Sequence, residues 1–145
     1  MKYLLDTNIW IYLEDGDEKI ASKIREVLPG NCFMSEITVA ELKYGAECSN
    51  RKEENMEKVD SLVAKFEVIP ISAAIDVYAL EFSALKRIGK QIEKFDALIA
   101  ATAVVHKLTL VTNDSDFIRF KKLKLENWAS HITKNFLQPT PVSKL

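Results

Sequence analysis

The sequence contains little cysteine and histidine, and these residues are scattered. Its only cysteines are Cys32 and Cys48, and its only histidines are His106 and His131. Two cysteines cannot build a disulfide framework, and there is no C-x-x-C pair. Sulfur and imidazole ligands this far apart in sequence do not indicate a zinc site. The sequence therefore predicts neither a disulfide-stapled scaffold nor a zinc module.

Glycine, proline and long apolar runs are also scarce. Four Gly and four Pro argue against long flexible linkers, and 145 residues suit one compact domain spanning residues 1–145. No stretch approaches the ~18 apolar residues of a membrane span. The segment before Asp6 is too short in apolar length for a signal peptide. We therefore expect a single cytoplasmic domain without membrane contact.

The chain has no excess of positive charge. Its formal net charge of −1 gives no strongly basic footprint for nucleic acid. Any RNA binding would need a local basic patch, or bound cations that invert the sign of an acidic pocket. A composition of 48% hydrophobic and 28% charged residues is typical of a globular protein with a substantial core.

Short apolar runs alternate with helical patterns along the chain. The pattern predicts strands at about 2–5, 32–34, 67–70, 108–112 and 123–127. It predicts helices at about 9–14, 17–28, 36–48, 54–66, 72–88 and 94–106, with Ser72 capping the fifth. This alternation indicates an α/β domain with a mostly parallel central sheet. Because sites in such sheets form beyond the carboxyl ends of strands, Asp6 and Asp114 are candidates.

Glu41 lies in the helix predicted over residues 36–48. The positions that share its face at spacings of three and four are Ile37, Ala40, Tyr44 and Cys48. We expect this face to be buried, which places Glu41 among apolar residues. A buried carboxylate is costly unless it is protonated, paired or bound to a metal. The alternative is a carboxylate at the rim, or a structural pair with Lys or Arg.

Asp96 is the only charged residue between Lys94 and His106. The helix that contains it is apolar nearly all round, so we expect it to be central and its acid to lie near the interior. The alternative is that Asp96 only favours the first turn of its helix through the helix dipole.

The remaining acids also have structural alternatives. Asp6 has the residue type of a helix cap, and Asp114 and Asp116 lie in a segment typical of turns. Thr112 and Asn113 can equally orient the first of these carboxylates. A purely structural explanation suits each acid alone but not the whole set, because several of these acids interrupt apolar strands or helix faces.

Convergence of these acids would require cations between them. Oxygen ligands without His or Cys favour Mg²⁺ or Mn²⁺ over zinc. Two such ions held by carboxylates suit phosphodiester hydrolysis. The sequence contains no Gly-rich phosphate loop, Ser triad or Cys–His pair that would indicate another chemistry.

Four segments and a late one resemble a known family. They are Tyr3-Leu4-Leu5-Asp6-Thr7-Asn8, Ser35-Glu36-Ile37-Thr38-Val39-Ala40-Glu41-Leu42, Asp96-Ala97-Leu98-Ile99-Ala100-Ala101-Thr102-Ala103, Leu110-Val111-Thr112-Asn113-Asp114-Ser115-Asp116-Phe117 and Leu125-Glu126-Asn127-Trp128. In this order and spacing they resemble the PIN-domain nucleases, specifically VapC-type toxins of toxin–antitoxin pairs. The resemblance implies a Rossmann-like, three-layer PIN fold and an endoribonuclease acting commonly on tRNA or rRNA. It further implies Mg²⁺ or Mn²⁺, a homodimer and an inhibitory VapB-type antitoxin.

The resemblance also assigns residues. Asp6, Glu41 and Asp96 match metal ligands that serve catalysis. The fourth acid is Asp114 or Asp116, and Asp114 is preferred because it follows the strand more closely. The polar positions around the site are Asn8, Ser35, Thr112 and Asn113. One departure is that many relatives have a Gly shortly before the third acid, where this chain has Ile92-Glu93-Lys94-Phe95, so Glu93 adds a negative charge near the cleft.

Basic residues near the acids can contact the RNA backbone. Lys90, Lys94 and Arg119 are the candidates, and solvated helix faces are the alternative. Two other functions compete with the nuclease. One is a non-catalytic PIN-like module that binds RNA or protein, which the complete acid set disfavours. The other is a phospho-receiver domain, which would need paired acids after the first strand, where only Asp6 is found.

Overall fold

A parallel sheet forms the centre of the molecule. The computed structural model describes residues 1–129, and the last part of the predicted domain, 130–145, lies outside the described residues. The strands are β1 (Tyr3–Leu5), β2 (Cys32–Ser35), β3 (Glu67–Ile69), β4 (Thr109–Val111) and β5 (Lys124–Glu126). They lie in the order β3-β2-β1-β4-β5, and every neighbouring pair is parallel. This confirms the predicted α/β class and parallel sheet.

Helices connect the strands. They are α1 (Thr7–Glu14), α2 (Glu18–Val27), α3 (Glu36–Cys48), α4 (Lys52–Lys65), α5 (Ile75–Arg87) and α6 (Lys94–Val105). Three 3₁₀ turns lie at Pro29–Asn31, Ser72–Ala74 and Ser115–Arg119. The prediction that Ser72 caps a helix was wrong, because it begins a 3₁₀ turn and α5 has no side-chain cap. Among residues 1–129, no helix has the length and apolar character needed to cross a membrane.

Alternation along each strand divides the core into two layers. In β1, Tyr3 and Leu5 pack with α1, α2, α3 and α4, whereas Leu4 packs with α5 and α6. Because successive strand side chains point to opposite faces, the sheet is covered on both sides, as parallel sheets require. The result is the predicted three-layer arrangement.

Small residues bring α6 close to the sheet. Ala97, Ala100, Ala101 and Ala103 are fully buried on this helix. Side chains without bulk allow a helix axis to approach its neighbours, and this approach carries the first turn of α6 toward the interior. The prediction that the Asp96 helix is central was therefore correct.

Helix α3 buries a different face from the one predicted. Ala40, Tyr44 and Cys48 are exposed, and Tyr44 retains 68% of its accessible surface. The buried residues of α3 are instead Ile37, Thr38, Leu42, Gly45 and Ala46. The predicted buried face was wrong. Its residues are small or mixed in character, so their spacing did not identify the side of the helix that faces the sheet. Glu41 is half-buried at the edge of the true stripe.

Candidate metal centre

Asp6 lies at the carboxyl end of the central strand β1 and is only 4% exposed. Its Oδ1 accepts a hydrogen bond from the amide of Thr7 at 2.8 Å, so it also caps α1. Its Oδ2 accepts one from the Thr112 hydroxyl at 2.9 Å. Two donors fix both carboxylate oxygens, and Thr112 couples the ends of β1 and β4, which pair in register.

Glu41 is oriented by threonines from two helices. The Thr7 hydroxyl donates to its Oε1 at 2.7 Å, and the hydroxyls of Thr7 and Thr38 lie 2.8 Å apart. Thr38 is fully buried, so the chain of hydroxyls joins α1 to α3 inside the protein. The sequence analysis missed both threonines as supports of the site. The signal was present, since each is a polar residue within one of the quoted motifs.

Asp96 is the acid with the least support from hydrogen bonds among the described residues. It lies in the first turn of α6, which Glu93 caps by accepting a hydrogen bond from the Phe95 amide at 3.0 Å. Burial, followed by the charges of Asp6, Asp114, Glu41 and Glu93, raises the pKa of Asp96 to about 8. These charges identify the acids that surround it. The extra negative charge expected from Glu93 therefore does act on this site.

Asp114 follows β4 and begins the 3₁₀ turn of residues 115–119. Its amide donates to the Thr112 hydroxyl at 3.0 Å, and its Oδ1 accepts from the Asp116 amide at 2.8 Å. Asp116 faces a different partner, because its Oδ1 lies 3.5 Å from the Arg119 guanidinium. Asp6 and Asp96 both interact with the charge of Asp114. The structure thus groups Asp114, rather than Asp116, with the other acids.

We call Asp6, Glu41, Asp96 and Asp114 the acid centre. Burial is the main cause of a raised pKa at all four, and it raises the pKa of Asp6 to about 7. Neighbouring acids raise these pKa values further, whereas hydrogen bonds from Thr112 and Thr7 lower those of Asp6 and Glu41. None of the four forms a salt bridge with a Lys, Arg or His of residues 1–129.

The donors of the acid centre suit a hard cation. They are carboxylate oxygens supported by hydroxyls, which Mg²⁺ and Mn²⁺ prefer. Within the described residues, no group of three or more His, Cys, Asp or Glu side chains lies close enough together to hold a metal ion. Mg²⁺ in proteins is usually held by one or two carboxylates together with water, so a smaller set of these acids can suffice.

The other predicted polar residues have separate roles. Ser35 is fully buried and caps α3 by accepting a hydrogen bond from the Ile37 amide at 3.0 Å. Asn113 donates to the Tyr12 hydroxyl at 3.2 Å. Asn8 is half-buried and makes none of the hydrogen bonds that hold the acid centre. Thr112 is thus the one member of this group that contacts an acid of the centre.

The predicted basic residues border the loop before α6. Lys90 and Lys94 are exposed, and neither forms a salt bridge within the described part of the chain. The guanidinium of Arg119 already has partners within the protein, because it donates to the Gln91 carbonyl at 3.1 Å and pairs with Asp116. Arg119 therefore ties the turn after β4 to the loop that leads into α6.

Known proteins resemble this chain over most of its length. The PIN domain family matches residues 3–123. Ribonuclease VapC2 of Rickettsia felis is 38% identical over 88% of this chain and 98% of its own length. The tRNA(fMet)-specific endonuclease VapC of Shigella flexneri is 31% identical over 89% of this chain and 99% of its own.

Solved structures agree with this result. The DNA-bound VapBC complex from Salmonella typhimurium contains a chain with a TM-score of 0.83 and 29% identity, covering 89% of this chain and 99% of that one. The DNA-bound VapBC2 complex of Rickettsia felis contains a chain with a TM-score of 0.79 and 37% identity, covering 89% of this chain and 100% of that one. The order of the acids along the sequence, the parallel sheet and these similarities lead to one assignment. The chain belongs to the PIN-domain family, among its VapC-type ribonuclease toxins.

Proposed function

We propose that this endoribonuclease toxin hydrolyses RNA with Mg²⁺ or Mn²⁺ held by the acid centre. The observation that carries the proposal is a group of four acids with raised pKa values, none of which forms a salt bridge within residues 1–129. Charges of the other members raise the pKa values of Asp6 and Asp96, while the charge of Arg119 lowers that of Asp114. Such a group is costly to ionise unless a cation neutralises it. A bound divalent ion would lower the pKa of a water molecule and stabilise charge on phosphate oxygens.

The protein's own contribution is orientation. Thr112 and the Thr7 amide hold the two oxygens of Asp6, and the Thr7 hydroxyl holds Glu41. Donors that fix the carboxylates before substrate arrives reduce the reorganisation needed during the reaction. Asp96 accepts no such bond within residues 1–129, and burial among acids raises its pKa, so positive charge placed beside it would favour its ionised form.

Asp114 is proposed as the fourth ligand. Its charge acts on Asp6 and Asp96, whereas the carboxylate of Asp116 pairs with Arg119. Asp116 then contributes its amide to Asp114, not its carboxylate to the ion. The proposal therefore takes Asp114, and not Asp116, as the fourth acid of the two that the sequence pattern left open.

The substrate is proposed to be a structured RNA, either tRNA or rRNA. One similar protein is named a tRNA(fMet)-specific endonuclease. Lys90 and Lys94 are proposed to neutralise backbone phosphates, because both are exposed, form no salt bridge with another residue of 1–129 and are close in sequence to Asp96. Arg119 is removed from this group, since its hydrogen bond and ion pair use it within the protein.

The proposed partners are a VapB-type antitoxin and a second copy of the chain, in the cytoplasm. Support for the antitoxin comes from similar structures that are VapBC complexes. Co-expression with a candidate VapB-type antitoxin, followed by mass measurement of the purified complex, tests both partners. We expect a complex that contains two toxin chains.

RNA cleavage with and without metal tests the function. Purified chain is incubated with total tRNA and rRNA in EDTA, Mg²⁺ or Mn²⁺, beside Asp6→Asn and the control Asp76→Asn. Asp76 is an exposed acid at the start of α5. We expect cleavage by wild type and Asp76→Asn with either metal, and none by Asp6→Asn. Equal cleavage by Asp6→Asn, or full activity in EDTA, would contradict the proposal.

A further inference from the structure

A second cleft adjoins the acid centre. It has a volume of about 280 Å³ and lies where β4 and β5 end. The residues that line it are Thr112, Asn113, Asp114, Ser115, Ile118, Leu125, Glu126 and Asn127. We call it the β5 cleft. Asp114 belongs both to this cleft and to the acid centre, so an occupant of the cleft lies beside the place where the RNA backbone is cut.

The walls of the β5 cleft are largely apolar. Ile118 is 73% exposed on a short 3₁₀ turn, and Leu125 is half-buried on β5. Ser115 and Asn127 are polar residues that also line it. Specific small-ligand sites have this composition, with apolar surfaces for contact and a few polar groups for orientation.

The charges of the cleft limit what can enter. Among residues 1–129, the two charged residues that line it, Asp114 and Glu126, are acids, and none of these lining residues is Lys or Arg. Glu126 is oriented because its Oε1 accepts a hydrogen bond from the Trp128 indole at 3.0 Å. Such a site repels phosphates and acidic peptides and favours a neutral group that carries N–H donors.

One lining residue has a buried acceptor without a partner. The Asn113 Oδ1 atom has no hydrogen-bond partner in the described structure, although its Nδ2 donates to the Tyr12 hydroxyl. Unpaired buried acceptors are uncommon in folded proteins. Because this oxygen is itself buried, the apolar walls and the charges of the cleft, and not Asn113, indicate which ligand fits.

We propose that the β5 cleft receives one nucleobase of the RNA substrate and thereby sets the sequence preference of cleavage. The inference rests on the proposed function, since Asp114 links the base to the reacting phosphate. A flat ring would pack on Ile118 and Leu125, and its edge would face Ser115, Asn127 and the two acids. Recognition of unstacked bases by contact with a ring face and by hydrogen bonds along its edge is general for single-stranded RNA.

Nucleoside binding gives a readout that does not depend on activity. Protein with labelled Ile and Leu methyl groups is titrated without metal with adenosine, guanosine, cytidine, uridine and inorganic phosphate. We expect saturable shifts at Ile118 and Leu125 with at least one nucleoside and none with phosphate. No shift with any nucleoside, or an equal response to phosphate, would overturn the proposal.

A truncation in the cleft tests its role in cleavage. Ile118→Ala is compared with Leu80→Ala, which removes a similarly exposed side chain (64%) from α5. We expect Ile118→Ala to lower kcat/KM at the preferred RNA site by about tenfold and to broaden the mapped cleavage sequences. Leu80→Ala should change neither.

The remaining outcomes separate the explanations. If Ile118→Ala leaves the cleavage pattern unchanged but weakens capture by the co-expressed antitoxin, the cleft belongs to the antitoxin and the proposal is wrong. If nucleosides bind at Ile118 while wild type cleaves no RNA with Mg²⁺ or Mn²⁺, the metal-dependent nuclease proposal fails and base binding stands.

Discussion

The acids on the outer helices and the acids of the acid centre have opposite surroundings. On α3 and α4, Lys52 lies 2.8 Å from Glu47 and Lys43 lies 3.7 Å from Asp60. These exposed acids have cations of the protein beside them. The acid centre has hydroxyls and amides instead, and burial raises its pKa values. The acid centre therefore differs from the surface acids in that no salt bridge within residues 1–129 neutralises it.

The largest effect is expected at Asp96. Asp96→Asn removes an acid that faces three others, so RNA cleavage should fall at least about 100-fold. The same change relieves repulsion, so the variant should unfold at a higher temperature than wild type in EDTA at pH 8. Cleavage assays and thermal unfolding with and without metal measure both effects. Asp76→Asn is the control, and a loss of both activity and stability would indicate a purely structural role.

Asp114 and Asp116 allow an acid of the centre to be compared with a cation-paired acid in the same turn. Asp114→Asn should reduce kcat about 100-fold, because its carboxylate belongs to the acid centre. Asp116→Asn should reduce it by less than about fivefold, because Asp116 resembles the surface acids in pairing with a cation. The two kcat values under saturating Mn²⁺ decide between them. A larger loss for Asp116→Asn would reverse the assignment.

Thr7→Val tests whether orientation matters. The substitution keeps the shape but removes the hydroxyl that holds Glu41 and contacts Thr38. We expect kcat to fall about 10- to 100-fold and the free energy of unfolding to fall by about 1–2 kcal/mol, since the buried Thr38 hydroxyl loses its partner. Thr109→Val changes a buried threonine on β4 outside the site and should leave kcat unchanged. Unchanged activity in Thr7→Val would show that Glu41 does not need this support.

The pH dependence of stability should differ from that of a protein with paired acids. Raised pKa values, about 7 for Asp6 and about 8 for Asp96, mean that the folded chain retains protons which the unfolded chain loses near the ordinary value of 3.8. In EDTA, stability should therefore fall as pH rises from about 4 to about 8. Mn²⁺ should raise the unfolding temperature more at pH 8 than at pH 5. A metal effect independent of pH would disagree with this account.

The smallest effect is expected for the exposed basic residue Lys90. Lys90→Ala should raise KM for RNA about two- to fivefold and reduce the slope of log KM against log salt by about one, with kcat unchanged. Lys65→Ala, on α4, is the control. Kinetics at several salt concentrations measure this. An altered kcat with an unchanged salt slope would exclude a phosphate contact.

Much of the fold could be predicted from local patterns. The parallel sheet followed from short apolar runs that alternate with helical patterns, and α6 followed from a segment that is apolar nearly all round. Helix α3 shows the limit, because Ala40 and Tyr44 were assigned to a buried face and are exposed. Glu41 was therefore chosen partly for the wrong reason: its surroundings come from Thr7, more than thirty residues earlier. Periodicity within one helix contains no information about such a distant partner.

The acid centre was predictable as a set and not in its detail. Strand ends indicated Asp6 and Asp114, and an apolar helix indicated Asp96. Asp114 was preferred over Asp116 only because it follows the strand more closely, since both residues suit a turn. The distinction depends on Arg119, whose guanidinium reaches Asp116 only in the folded chain. Arg119 was itself predicted to bind RNA because the sequence does not reveal that it contacts the Gln91 carbonyl.

Direct titration with Mn²⁺, followed by the loss of the free-ion signal in electron paramagnetic resonance, tests the central claim most closely. The account predicts saturable binding to wild type and Asp76→Asn, and binding at least about tenfold weaker to Asp96→Asn and Asp6→Asn. Equal affinity in all four proteins, or no binding to wild type, would contradict the claim that the acid centre holds the ion.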